Sequence, residues 1–266
     1  MPKLAEEVER RLERLRLPFN AAGIDPFGVS KGRLYQAGLA LGTAYYRYFK
    51  VRCVGAEHVP TVGRAMLVAN HSGGYAIDAT MLAAACFFEL EPPRLAHGMA
   101  DKFINRLPFI SDWANRIGQL TGLPEHAHRL LRDERLLMVF PEGVRGTAKL
   151  YGERYSLVRF GTGFMRLALE TQTPVIPTAI LGGGEAVPTI ANLSWLGKAF
   201  GTPYVPITPY LFAVPLPVKM EIRFGEPLTF EGNGYESDEA IIDMVERVKA
   251  RIRELIDEGR KEYHPL

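Results

Sequence analysis

The chain has 266 residues, 47% hydrophobic and 23% charged, with 32 Lys+Arg against 30 Asp+Glu and a formal net charge of +2. This profile belongs to a folded domain with one substantial core and excludes a disordered, collagen-like or coiled-coil chain. Near-balanced charge excludes the dense basic stripe that nucleic-acid binding needs, and two cysteines, Cys53 and Cys86, with no metal-ligand spacing imply neither a disulfide framework nor a metal site.

Charge is uneven along the chain: residues 1–50 hold nine basic and five acidic residues, whereas 231–266 hold six basic and ten acidic ones. The N-terminal stretch is too charged for a secretory signal, and no apolar run reaches the ~18 residues of a membrane span. These features predict a chain kept in the cytoplasm, at most peripheral to a membrane.

Leu4, Val8, Leu12 and Leu15 recur at helical spacing and predict an amphipathic first helix. Pro18, Gly23, Pro26 and Gly28 end it, and Ser30 is a plausible N-cap for a second helix over 31–50. Its Leu, Tyr and Phe residues lie between basic ends, which suits a membrane interface as well as it suits a helix packed on the core. Residues 1–50 are accordingly expected to form a two-helix membrane-associating segment.

From residue 51 short apolar runs alternate with helical patterns, the signature of an α/β domain with a mostly parallel central sheet flanked by helices. Strands are expected at Val51–Gly55, Ala65–Ala69, Arg94–Gly98, Leu136–Phe140, Val175–Leu181 and Lys219–Phe224, and helices at Ile77–Phe88, Glu125–Arg132, Gly163–Glu170 and Asp238–Glu258. The core is expected to span 51–230, with 231–266 supplying a C-terminal helix packed on it. Thr202–Val218 holds five prolines among aromatic residues, so it cannot form a regular helix and reads either as a cover for the core or as a lip against lipid.

Asn70–His71–Ser72–Gly73–Gly74 follows directly on the strand AMLVA, and open α/β sheets place their sites beyond the carboxyl ends of strands. Asp78 falls in the first turn of the next helix, where the macrodipole favours a carboxylate. The glycines let the loop fold back, so that Asp78 accepts from His71 Nδ1 and leaves Nε2 free as a base for a hydroxyl. A second turn, Pro141–Glu142–Gly143–Val144–Arg145–Gly146, projects a carboxylate and a guanidinium from one loop. The one Gly-x-Ser-x-Gly run, Gly28–Gly32, precedes a helix with no strand before it, and no Gly-x-Gly-x-x-Gly or Walker loop occurs, which argues against a hydrolase of the nucleophile-elbow type and against nucleotide cofactors.

His71 and Asp78, the FPEGVR run at 140–145 and VIPTAI at 175–180, in this order, resemble the glycerolipid acyltransferase family over roughly residues 51–230. The wider spacing of six residues between His71 and Asp78 resembles its monoacylglycerol/diacylglycerol acyltransferase-like bacterial branch. The resemblance implies His71 as general base, Asp78 as its orienting acid, and acceptor binding by Glu142, Gly143 and Arg145, with Pro177 on the acyl-donor side. Lys102 and Lys149 are further expected at the substrate. The donor is expected to be acyl-CoA or acyl carrier protein, with no other cofactor and no metal, the acceptor a lipid alcohol, and the location the cytoplasmic face of a membrane. The stretch Gly118–Pro124 lacks the arginine that phosphatidate-forming members carry there, although Arg145, Lys149 and Arg154 remain available for a phosphate. Phosphatidate synthesis from 1-acylglycerol 3-phosphate, and lipid binding without catalysis, are the alternatives.

Overall fold

The computed structural model describes residues 2–100, 110–199, 204–210 and 215–265. Along them run α1 (Pro2–Arg14), α2 (Lys31–Thr43) continued by a π-helical turn (Ala44–Tyr48), β1 (Arg52–Val54), β2 (Ala65–Ala69), α3 (Ile77–Phe88), β3 (Ala96–Ala100), α4 (Ile110–Arg116), β4 (Gln119–Thr121), α5 (Pro124–Arg132) and β5 (Leu136–Val139). There follow α6 (Val144–Thr147), α7 (Gly163–Glu170), β6 (Val175–Leu181), α8 (Gly183–Ala186), β7 (Ala191–Leu193), α9 (Ser194–Ala199), β8 (Val205–Ile207), β9 (Glu221–Phe224) and α10 (Asp238–Glu262).

β2 and β6 are apolar or small along their length and buried at every residue, as strands must be when helices cover both faces of a sheet. Their alternation divides the core. Leu67, Ala69, Ile176 and Ile180 join α1, α2 and α3 on one face, while Met66, Val68, Val175 and Leu181 join α5, α7 and α10 on the other. The strand order is β1-β9-β6-β2-β5-β3-β4, with β7 and β8 forming a separate hairpin.

Every pairing in the large sheet is parallel except that of β6 with β9. After β6 the described residues form no long crossover helix, and the chain re-enters the sheet from the end at which β6 leaves. The carboxyl ends of β2, β5 and β6, the start of β9 and the residues leading into β1 therefore share one end of the sheet.

The expected strands and helices are present, with shifts at their ends. The third expected strand begins two residues later, at Ala96, and the last helix continues to Glu262. The short elements β4, β7, β8, α4, α6, α8 and α9 are too brief to leave a periodic signal in sequence.

The first 50 residues pack on the domain: the apolar stripe of α1 is spent inside the protein. Val8, Leu12 and Leu15 are buried, and Val8 and Leu4 fill the places that side chains at Gly38 and Gly42 of α2 would occupy. Tyr45 and Phe49 are buried beside α3. Among the described residues no helix is long and apolar enough to cross a membrane.

Candidate active site

β2 delivers Asn70 and His71 to the carboxyl end of the sheet. Asn70 is fully buried; its side chain donates to the Ile180 carbonyl at 2.9 Å and accepts from the Ile180 N–H at 2.7 Å. It thereby prolongs the β2–β6 pairing one residue past the strand and fixes where the loop departs. Sequence reasoning gave Asn70 no role; its place directly after an apolar strand was the available signal.

The loop then closes on itself. A helical turn at Gly74–Ala76 precedes α3, and the six intervening residues bring Asp78 back beneath His71. His71 Nδ1 lies 2.7 Å from Asp78 Oδ2, with the His71 side chain 11% exposed and Asp78 fully buried. Asp78 Oδ2 also accepts from the Ser72 N–H at 2.8 Å, and Oδ1 from the Ala79 N–H at 2.8 Å. A carboxylate only accepts, so Nδ1 carries the proton and the Nε2 lone pair is left for another partner.

Gly73 has φ +76°, and a Cβ there would sit 2.1 Å from the Gly183 carbonyl oxygen. The loops after β2 and β6 touch main chain to main chain, which only glycine permits.

The loop after β5 supports His71 from the other side. The Phe140 ring lies 4.5 Å from the imidazole, and a Cβ on Gly146 would come within 2.7 Å of His71 Cβ. Glu142 faces inward: its carboxylate accepts from the His71 N–H at 2.9 Å, the Val158 N–H at 2.9 Å and Lys149 Nζ at 2.8 Å. Lys149 also donates to the Ser156 carbonyl at 2.7 Å. Burial pushes the Lys149 ammonium down from its ordinary range, and Glu142 opposes that shift.

Glu142 and Lys149, expected from sequence at the substrate, form a buried ion pair beneath His71 and make their hydrogen bonds inside the protein. Arg145 is exposed at the rim, where its Nη2 donates to the Arg159 carbonyl at 3.2 Å. Gly143 is exposed beside it, at φ +56°. Arg154 is bound to Glu185 at 2.7 Å and lies over the Tyr151 ring. Glu185, which follows Gly182–Gly184 at the end of β6, was not singled out in the sequence. Pro177 is internal to buried β6, and Lys102 lies outside the described residues.

The remaining histidines form no metal site: among the described residues no cluster of His, Cys, Asp and Glu could hold an ion. A cavity of about 490 Å³ lined in part by Leu15, Arg94, Arg135 and Leu136 lies at the opposite end of the sheet from His71.

The site is thus a histidine oriented by a buried acid, in a loop at the carboxyl ends of parallel strands. The model of the Acyltransferase family matches residues 50–181, which span both loops of the site. Over these residues the chain is similar to the acyltransferase family. Among its relatives, an uncharacterised protein of Mycobacterium tuberculosis is 36% identical over 220 residues, covering 79% of this chain and 61% of the relative. The human DGAT1/2-independent enzyme synthesizing storage lipids is 26% identical over 211 residues, covering 78% of this chain and 61% of that protein. The chain thus spans about 61% of the length of these relatives. Its fold is similar to that of the 1-acyl-sn-glycerophosphate acyltransferase PlsC from Thermotoga maritima, with a TM-score of 0.61, 16% identity and coverage of 88% of this chain and 83% of that one.

Proposed function

We propose that this protein moves a fatty acyl group from a thioester, acyl-CoA or acyl carrier protein, to a glycerolipid hydroxyl, with His71 as general base. The observation that carries the reading is the 2.7 Å contact between His71 Nδ1 and buried Asp78, which leaves Nε2 as the acceptor. The alcohol gives its proton to Nε2 as its oxygen attacks the thioester carbonyl carbon. The tetrahedral oxyanion collapses, the C–S bond breaks, and the imidazolium returns the proton to the departing thiolate. An ester and a free thiol result, with no acyl-enzyme. Asp78 stabilises the imidazolium while it exists. The Ser72 N–H is spent on Asp78, which leaves the amides of Gly73 and Gly74 as oxyanion donors in this scheme.

The acceptor favoured is a neutral lipid alcohol. Two of the three cations that sequence made available for a phosphate, Lys149 and Arg154, are neutralised by Glu142 and Glu185. Similarity to a storage-lipid-synthesizing enzyme points the same way. Purified protein given labelled acyl-CoA and a panel of acceptors tests this: monoacylglycerol and diacylglycerol should be acylated and lysophosphatidate should not. A strict requirement for the acceptor phosphate would replace the reading by phosphatidate synthesis, and no transfer to any acceptor would leave lipid binding alone.

A further inference from the structure

The end of the sheet that carries His71 also carries a rim of exposed apolar side chains. Trp195 is 68% exposed and Ile190 54%, both large side chains that a water-facing surface seldom presents together. Tyr48, Val144, Leu150 and Tyr151 are exposed as well. These positions are joined around the site. The Tyr151 N–H donates to the Thr189 carbonyl at 2.8 Å, Asn192 Nδ2 to the Ala148 carbonyl at 2.6 Å, and Tyr48 OH to the Pro215 carbonyl at 2.6 Å. Gly74, in the His71 loop, lies against Pro206 of β8, so the β7–β8 hairpin abuts the catalytic loop.

The charge of the rim is mainly positive, with Glu153 as an exposed acid beside Tyr151. From Ala186 to Lys219 the sequence contains no Asp or Glu, and Arg145 and Arg159 are exposed beside it. Trp and Tyr next to Arg is the composition that settles at the headgroup level of a bilayer, where rings meet the acyl boundary and guanidinium groups meet anionic headgroups. A protein partner would not explain why this surface adjoins the His71 loop. A lipid surface does, because an acceptor and product that live in a bilayer must pass between it and His71; on this point the inference rests on the acyl-transfer reading.

We infer that the carboxyl end of the sheet, through Tyr48, Val144, Leu150, Tyr151, Ile190 and Trp195, is the face that docks on an anionic lipid bilayer. The stripe of α1 does not serve, since its leucines and valine are inside the domain.

The full chain should co-sediment with vesicles of equal parts phosphatidylcholine and phosphatidylglycerol. The double variant Ile190→Ser/Trp195→Ser should partition at least about tenfold less, the effect of removing roughly one well-buried apolar side chain from the interface. A control double variant at exposed sites elsewhere, Val62→Ser/Ile242→Ser, should bind as the wild type does. In a Trp113→Phe background Trp195 is the sole tryptophan; its emission should shift to the blue with vesicles and become shielded from an aqueous quencher. Unchanged binding by the first double variant, equal loss in the control, or a Trp195 spectrum indifferent to vesicles would overturn the assignment. His71→Ala should bind vesicles normally, so a failure of the acyl-transfer chemistry and a failure of the docking face are read separately.

Discussion

The main-chain N–H of His71 donates to Glu142 Oε1 at 2.9 Å, joining two residues 71 positions apart in sequence. This bond joins the Glu142–Lys149 ion pair to the main chain of His71. In this structure the acid of the second motif positions the histidine of the first.

Loss of the imidazole removes the proposed base. His71→Ala should lower acyl transfer at least about 10²-fold with an unchanged far-ultraviolet circular dichroism spectrum. Asp78→Asn should lower the rate about 10²- to 10⁴-fold, because an amide can donate to Nδ1 and favour the wrong tautomer. Near wild-type turnover in either variant would remove the corresponding role.

The Glu142–Lys149 pair should act as a unit. Both side chains are almost wholly buried, so Lys149→Met strands a carboxylate and should cost about 3–5 kcal/mol in urea unfolding. Glu142→Gln/Lys149→Met should recover a substantial part of that loss. If the two single losses simply add in the double variant, the pair is not coupled.

Gly73→Ala tests the contact between the β2 and β6 loops. Its φ of +76° and the 2.1 Å approach to the Gly183 oxygen leave no room for a methyl group. The variant should lose at least about 2 kcal/mol of stability and most activity, through displacement of the His71 loop. A crystal structure of Gly73→Ala with the loop unmoved would contradict this account.

His97 predicts an acid-sensitive fold. Burial beside Arg135 holds it neutral and pushes its pKa down to about 3, while its Nδ1–H donates to the Gly118 carbonyl. The unfolded chain takes up this proton near pH 6.5 and the folded one does not, so the stability is present above that pH and is lost as pH falls towards about 3. Between pH 6 and 4 this group should remove about 1.4 kcal/mol per pH unit. In His97→Gln, unfolding free energies measured across that range should show a slope shallower by about one proton; an unchanged slope would assign the acid sensitivity elsewhere.

Much of the architecture was legible in the chain because the signals are local. Continuous apolar runs such as AMLVA and VIPTAI mark strands covered on both faces, and the 3.6-residue periods of α7 and α10 mark helices that cover them. The proximity of His71 and Asp78 was legible too, since one strand–loop–helix unit contains both. The helical turn at Gly74–Ala76 takes up part of the six-residue separation between them.

Sequence alone determined that a histidine and an acid meet at a strand end, because their separation is spanned by one short glycine-containing loop. Only the tertiary structure decided the partners of Glu142, Lys149 and Arg154, and what the N-terminal apolar stripe packs against. A carboxylate or an ammonium looks the same in sequence whether it faces substrate or a buried counter-charge, and an amphipathic helix has the same period whether its apolar side meets lipid or protein. Partners brought together by chain closure across tens of residues, such as Glu142 against His71, Glu185 against Arg154 and Val8 against Gly38, settle those questions, and no local pattern encodes them.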